Sequence, residues 1–216
     1  MTKELSDVDR RALSAAAHLF RTKGFAAATV REIAADAGIL PGSLHYRFPS
    51  KELLLIALME RAVEQTTAAV RAAVAGSRDP IERLRLGLRA HLRILLSGDE
   101  AIYVLLYEWR ALTGKPREDM VRLRDRYEAF WDGLLYEAAG SGHLRDGVDL
   151  KLLRLFGFGA INWVAQWYSP GGERKPEQIA DAFWAFVGFG VIGDEDRPAG
   201  MAEVFRLLSA LEPTRG

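Results

Sequence analysis

The stretch TVREIAADAGILPGSLHYRFPSKELL (residues 29–54) holds two short helical segments, a glycine between them and the start of a longer helix. Thr29 and Glu32 have the spacing of a capping box, in which each side chain bonds a backbone N–H at the start of a helix. Gly38 supplies the positive φ that a tight turn after a helix requires. The stretch therefore predicts two short helices joined by a tight turn.

The second short helix is predicted to present most of its surface outward. Ile39 and Leu44 return to the apolar face that the first helix forms with Ile33 and Ala34. The residues that remain outward are Pro41, Gly42, Ser43, His45, Tyr46 and Arg47. A helix presented this way fits the major groove of double-stranded DNA, with its first turn nearest the base edges. The same spacing also occurs in ordinary helical bundles, so spacing alone leaves that alternative open.

The composition is that of an ordinary globular protein. The 216 residues include 29 Lys and Arg against 29 Asp and Glu, and 49% of them are hydrophobic. These totals say nothing about which partners the protein binds. The chain has no cysteine, its histidines lack metal-ligand spacing, and no nucleophile motif or phosphate loop is present. The sequence therefore predicts no enzyme activity, no metal and no cofactor.

Helical periodicity runs through nearly every long segment, and start signals stand where helices need them. Ser6 and Ser50 can cap helices, and Asp79 precedes a proline at a first helical position. Further helices are predicted at about 100–112, 117–139, 149–168, 176–192 and 199–211. The predicted fold is all-α, with an N-terminal three-helix DNA-binding domain over residues 1–49 and a larger helical bundle for ligand binding and dimerisation over residues 50–216.

No segment of the sequence predicts export or a membrane span. The N-terminus lacks the apolar core of a signal peptide, and the most apolar segments, 155–168 and 182–193, are too short to cross a bilayer. We therefore expect a cytoplasmic protein with no membrane partner.

Two segments are apolar around most of their circumference and must be covered on two sides. They are LLRLFGFGAINWVAQWY (residues 152–168) and PEQIADAFWAFVGFGVIG (residues 176–193). One short helix in one major groove contacts few base pairs, so such helices usually bind DNA in pairs, one from each protomer of a dimer. The two segments are therefore the predicted surface of a homodimer.

Aromatic residues are concentrated in the middle of the chain, where they can form a core or line a ligand cavity. Asn162 and Gln166 lie one turn apart on an otherwise apolar helix, and two interpretations stay open for them. They pair with each other or a partner helix, or they line a cavity. The candidate ligand-binding residues are Tyr103, Tyr107, Trp109, Arg110, Phe130, Asn162, Trp163 and Gln166.

Over about residues 10–56 the chain resembles the DNA-binding signature of the TetR family, the tetracycline-repressor-like regulators. The shared features are the threonine cap, Ile-Ala, the Ala-Gly turn, Gly-Ser-Leu, the aromatic helix end and Ser-Lys-Glu-Leu. One departure is His45, where the family most often has tyrosine; here Tyr46 follows one place later. The resemblance implies that a homodimer binds a palindromic DNA operator.

The resemblance also implies the role of each contact residue. By this carry-over Thr29, Tyr46 and Lys51 contact phosphates. Ser43, His45 and either Pro41 or Gly42 meet bases. Phosphate contacts set register and affinity, and base contacts set sequence preference.

The segments DLKLLRLF (residues 149–156) and NWVAQWYSPGG (residues 162–172) resemble the C-terminal region of TetR-type repressors that respond to acyl-coenzyme A thioesters of fatty-acid or steroid catabolism. This resemblance implies a small hydrophobic effector that releases the repressor from DNA. It also implies a long, mostly apolar tunnel, with basic residues near its mouth that meet the coenzyme A phosphates. Arg85, Arg89 and Arg93 have suitable spacing, although a solvated helix face explains them too. The alternative function is a helical ligand-binding protein or enzyme without specific DNA binding.

Overall fold

The computed structural model describes residues 5–193, and within that range it is helical with no strand. The helices are α1 (Asp7–Lys23), α2 (Val30–Asp36), α3 (Pro41–Arg47), α4 (Lys51–Val74), α5 (Pro80–Leu95), α6 (Glu100–Tyr107), a 3₁₀ helix (Trp109–Ala111), α7 (Gly114–Gly140), α8 (Leu150–Trp167) and α9 (Pro176–Val191). The predicted all-α class is confirmed. The helix predicted at about 199–211 lies outside the described residues.

Residues 5–67 and 98–127 form one compact unit, in which α1 packs on α2 and α6, and α2 packs on α3. Phe20, Ile33 and Leu44 are completely buried at its centre. Ala34 is also completely buried, because two short crossing helices leave room only for a small side chain where they meet. These contacts fix α2 and α3 against α1.

The predicted capping box and glycine turn are confirmed. The Thr29 hydroxyl accepts a hydrogen bond from the backbone N–H of Glu32 at 3.2 Å, and the Glu32 carboxylate accepts one from the N–H of Thr29 at 3.0 Å. Gly38 has a φ of +63°, and the next N–H, of Ile39, donates back to Ala34 O at 3.0 Å. Local sequence thus sets where α2 begins and how the chain turns into α3.

Residues 68–97 and 128–193 belong to a second unit, in which α5 packs against α8 and α9. Asp79 caps α5, and Pro80 occupies its first position as predicted. A Cβ on Gly87 would lie 3.1 Å from the Trp131 ring and 3.2 Å from Val74. Glycine at position 87 therefore lets the Trp131 indole pack closely against α5.

The end of α9 is tied to the segment between α7 and α8 by an isolated antiparallel bridge between Leu144 and Ile192. Arg145 N donates to Val191 O at 2.9 Å, and Gly193 N donates to His143 O at 3.0 Å. These hydrogen bonds hold the C-terminal end of α9 against the segment before α8.

Two helices, α4 and α7, contribute residues to both units. The compact unit that contains α1 to α3 also includes the first part of α4, all of α6 and the first part of α7. The domain boundary at residues 49 and 50 stays a prediction.

Candidate nucleic-acid interface and effector cavity

The helix α3 is anchored by one side chain and exposes the rest. Leu44 is completely buried, whereas Tyr46 is 88% exposed. The exposed residues of α3 are Pro41, Gly42, Ser43, His45, Tyr46 and Arg47. Neither aromatic ring at positions 45 and 46 packs into the core, so both are accessible to a partner. This surface has the shape and chemistry that a recognition helix requires.

Arg47 fixes the C-terminal end of α3 to the start of α1. Its guanidinium donates to the Asp9 carboxylate at 2.7 Å and to the Ser6 hydroxyl at 2.9 Å. Ser6 and Asp9 also form the capping box of α1. Sequence reasoning placed Arg47 on the outward face but missed this anchor, because the paired residues lie 38 positions apart.

Thr29 is exposed, but its hydroxyl takes part in the capping box. Glu32 also accepts a hydrogen bond from Lys23 at 2.6 Å. The bond from Lys23, together with those from Thr29, lowers the pKa of Glu32 to about 2. The cap therefore remains charged and intact throughout the neutral range, and the phosphate contact of Thr29 stays a prediction.

Lys51 is turned toward the segment between α1 and α2. Its ammonium group donates to the carbonyl oxygens of Phe25 at 2.7 Å, Ala28 at 3.0 Å and Ala26 at 3.2 Å. In this arrangement the hydrogens of the ammonium group are directed at the protein's own backbone. A phosphate contact by Lys51 stays a prediction.

The candidate ligand-binding residues are divided between the two units. The first unit contains Tyr103, Tyr107, Trp109 and Arg110, and the second unit contains Phe130, Asn162, Trp163 and Gln166. The rings of Tyr103 and Tyr107 lie 4.6 Å apart. The Trp109 ring has guanidinium groups at 5.3 to 5.5 Å, contributed by Arg110, Arg117 and Arg124.

In the second unit, Phe130 lies under the Arg71 guanidinium at 4.6 Å. Trp163 and Gln166 are exposed on α8. Asn162 is hydrogen-bonded to His91 on α5. The ligand-binding roles of these residues stay predictions.

An apolar cavity of about 80 Å³ lies inside the second unit. None of the eight candidate ligand-binding residues lines it. The lining side chains come from α5, α7, α8, α9 and the bridge: Leu84, Leu88, Trp131, Leu135, Leu144, Leu153, Arg154, Gly157, Phe158, Ile161, Phe183, Trp184, Val187, Val191 and Ile192. Sequence reasoning missed most of them because it favoured aromatic and amide side chains, whereas most of the lining is aliphatic.

Arg154 is the one charged residue among those that line the cavity, and it is paired. Its side chain is 10% exposed; Nε donates to Asp132 at 2.6 Å, and Nη1 donates to Glu128. A guanidinium held between two carboxylates offers little charge to a ligand. The cavity is therefore suited to an apolar group.

The α5 arginines form ion pairs with α9. Arg89 lies 3.2 Å and Arg85 lies 3.6 Å from the Asp181 carboxylate, and Arg93 lies 3.2 Å from Glu177. These pairs link the two helices on a partly exposed surface. Pairing to α9 explains the i, i+4, i+8 spacing without a coenzyme A phosphate.

His91 is buried between the rings of two cavity residues, with centroids 5.5 Å from Phe158 and 6.2 Å from Trp131. Burial lowers the pKa of His91 from 6.5 to about 4, against the opposing effect of the hydrogen bond with Asn162. The folded protein therefore keeps this ring neutral, whereas the unfolded chain protonates it near pH 6.5.

The free energy of unfolding should fall as the pH drops from 6.5 toward 4, because the unfolded state then binds a proton that the folded state excludes. The contribution of His91, present above pH 6.5 and lost in this window, amounts to about 3 kcal/mol. Urea unfolding across this range should show a shallower pH dependence for His91→Gln than for the wild type. His45→Gln, on exposed α3, is the control and should follow the wild type; equal slopes for all three proteins would contradict the assignment.

Helices α8 and α9 also expose large apolar side chains. The rings of Phe156, Trp163 and Trp167 on α8 and of Phe186 and Phe189 on α9 are each at least half exposed. A Cβ added to Gly157, Gly159 or Gly190 would meet nothing within 4 Å. A glycine in a helix lets a second helix pack closely against it. Within the described part of the chain, no atom packs closely at these three positions. A surface of this kind is suited to burial against another protein surface.

An exposed helix-turn-helix together with a helical bundle that holds an apolar cavity defines a class of ligand-responsive transcription regulators. Comparison with known proteins agrees. Residues 12–58 match the bacterial regulatory proteins of the tetR family, and residues 77–191 match the tetracyclin repressor-like C-terminal domain. The chain therefore belongs to the TetR family of transcriptional regulators. Regulators of this family bind operator DNA, dimerise and bind small-molecule effectors, as predicted.

Individual relatives extend over most of the chain. The HTH-type transcriptional repressor KstR2 of Mycobacterium tuberculosis is 30% identical over 181 residues, which are 83% of this chain and 90% of the relative. The structure of AibR with isovaleryl coenzyme A and operator DNA has a TM-score of 0.75 and 28% identity, covering 84% of this chain and 97% of that one. The structure of superantigen PfiT has a TM-score of 0.74 and 34% identity, covering 87% and 97%.

Within residues 5–193, each helix is too short or too polar to cross a bilayer.

Proposed function

We propose that this protein is a homodimeric transcriptional repressor that leaves a palindromic operator when a small hydrophobic effector binds. The observation that supports it best is α3, which buries Leu44 completely and exposes its other six residues. Two such helices, one from each protomer, enter successive major grooves about one DNA turn apart. The repressor acts in the cytoplasm.

The proposed DNA contacts follow the exposed face of α3. Ser43 and His45, with Pro41 or Gly42 in the first turn, read bases, and Tyr46 contacts a phosphate. Thr29 contacts a phosphate at the start of α2, next to its own capping box. All six residues are exposed, so DNA can reach them without displacing the core.

Fluorescence anisotropy with the DNA upstream of the protein's own gene tests the proposal. We expect tight binding that survives an excess of unrelated DNA, with two protomers per operator. The alternative, a helical ligand-binding protein or enzyme, predicts weak binding that unrelated DNA competes away. That result would overturn the assignment as a repressor.

We further propose that the effector is an acyl-coenzyme A thioester with a short acyl chain. A cavity of about 80 Å³ holds roughly five to eight water-sized spheres. A chain of about that many carbon atoms fits, whereas a four-ring steroid skeleton requires the cavity to expand. The AibR complex, in which a relative of the same fold holds isovaleryl coenzyme A, supports this chemistry.

Two helices can carry the effector signal, because they line the cavity and bear the exposed apolar face. On α9, Phe183 and Val187 line the cavity while Phe186 is exposed. An effector that prefers one arrangement of α8 and α9 therefore also selects one arrangement of the dimer. Tenfold release from DNA requires about 1.4 kcal/mol of such preference.

Leu88→Trp should abolish the effector response and leave operator binding intact. Leu88 lines the cavity on α5, and the larger indole takes up the space that an acyl chain needs. We expect the concentration of isovaleryl-coenzyme A that releases half of the DNA to rise at least tenfold. Leu86→Trp, two positions away on α5 and outside the cavity lining, is the matched control. Normal release of Leu88→Trp would exclude this cavity as the effector site.

A further inference from the structure

The short loop between α1 and α2, residues 24–28, leads directly into Thr29, the N-cap of α2. Gly24 starts the loop with a φ of +79°. The Phe25 ring is 8% exposed and lies 5.2 Å from the Phe20 ring in the core. The position of this loop therefore helps to set where the exposed cap of α2 lies.

Lys51, at the start of α4, holds the loop from one side. An ammonium group has three hydrogens to donate, and three loop carbonyls, of Phe25, Ala26 and Ala28, lie 2.7 to 3.2 Å from Lys51 Nζ. The same nitrogen lies 4.5 Å from the centroid of the Phe25 ring. A contact with a DNA phosphate would require Lys51 to give up at least one of these hydrogen bonds.

Glu108, which follows the last residue of α6, holds the loop from another element. Its carboxylate accepts a hydrogen bond from the backbone N–H of Phe25 at 3.2 Å, in a partly buried setting. The backbone of Glu108 is held by the end of α6, because its N–H donates to Val104 O at 2.9 Å. A bond from a backbone N–H to a carboxylate is stronger than one between neutral groups.

We propose that Glu108 and Lys51 are positioning residues for operator binding, which hold the loop before α2 in the geometry that DNA requires. In this proposal Lys51 acts through the loop, in place of the phosphate contact that the resemblance implies. Glu108 lies outside α1 to α3, so the residue that caps the end of α6 sets the affinity of a surface to which it contributes no contact. The effect on DNA affinity rests on the proposed function, whereas the effect on the loop does not.

The first experiment compares Glu108→Ala with Glu108→Gln. The glutamine side chain still has a carbonyl oxygen that accepts from Phe25 N–H, and alanine has none. We expect Glu108→Ala to weaken operator binding about tenfold, whereas Glu108→Gln stays within about twofold of wild type. Glu118→Ala, which removes an exposed carboxylate from α7, is the matched control and should bind as wild type. Equal affinity of Glu108→Ala and wild type would overturn the proposal.

The second experiment measures salt dependence for Lys51→Met, which keeps the aliphatic stem and removes the ammonium. We expect about tenfold weaker binding with an unchanged slope of log affinity against log salt concentration. A direct phosphate contact would instead lower the slope by about 0.9 per protomer. A slope lowered by that amount would overturn the positioning role of Lys51.

Hydrogen exchange at the Phe25 amide tests the loop without DNA. We expect faster exchange in Glu108→Ala than in Glu108→Gln or the wild type, because only alanine removes the acceptor. Equal exchange rates in the three proteins would show that Glu108 does not hold the loop. If the wild type failed to bind operator DNA, the proposed function would fail, while the exchange rates would still decide whether Glu108 holds the loop.

Discussion

Phe186→Glu should separate the protein into monomers and weaken operator binding at least a hundredfold. Phe186 is 74% exposed on α9 and belongs to the apolar face of α8 and α9. Burying an unpaired carboxylate in an apolar interface is costly, so the variant favours the separate chains. A monomer brings one α3 to the DNA and loses the gain of about 10² to 10⁴ that linked binding of two half-sites provides.

Light scattering after size-exclusion chromatography measures the oligomeric state, and anisotropy on the operator measures affinity. Tyr136→Glu is the control, because Tyr136 is an exposed aromatic residue on α7 and does not belong to the apolar face of α8 and α9. The control should remain dimeric and bind normally. If Phe186→Glu also remained a dimer with normal affinity, the second copy would have to bind elsewhere.

The features that could be predicted from sequence depend on residues close together in the chain. The Thr29 and Glu32 cap, the Gly38 turn and the Pro80 start of α5 each involve residues within about four positions, and all are confirmed. Such signals are reliable because the groups that satisfy each other are adjacent whatever the tertiary packing. They define the helices and, through them, the exposed face of α3.

The features that could not be predicted depend on distant residues. Glu108 and Phe25 are 83 positions apart, and Arg89 and Asp181 are 92 apart. The spacing of Arg85, Arg89 and Arg93 indicated one helix face but not which helix these arginines would meet. A single sequence carries no signal for such pairs, although they tie the loop before α2 to Glu108 and join α5 to α9.

The cavity shows the same limit. Aromatic and amide residues such as Trp163 and Gln166 were natural candidates, since a polar group on an apolar helix requires a partner. In the structure both side chains are exposed. The cavity is lined instead by mainly aliphatic side chains, such as Leu153 and Ile161 of the same helix. An aliphatic side chain looks the same in sequence whether it fills a core or lines a cavity, so only tertiary packing distinguishes the two.

His45→Ala should weaken operator binding about a hundredfold and change binding to unrelated DNA less than threefold. His45 is exposed on α3, so its removal leaves the core intact. A lost base contact costs about 1 to 3 kcal/mol, and the homodimer loses it in both half-sites. Base contacts contribute only to the affinity for the operator, whereas unrelated DNA is bound mainly through phosphates.

Tyr46→Phe is the matched comparison, because it removes one hydroxyl from the adjacent exposed ring. Its predicted phosphate contact forms on every sequence, so we expect equal fractional losses on operator and unrelated DNA. Anisotropy titrations of both variants on both DNAs, with thermal melts to confirm folding, measure the two ratios. Equal losses of affinity on both DNAs for His45→Ala would show that the His45 ring contacts the DNA phosphate backbone and not the bases. No loss in either variant would mean that the exposed face of α3 does not enter the groove.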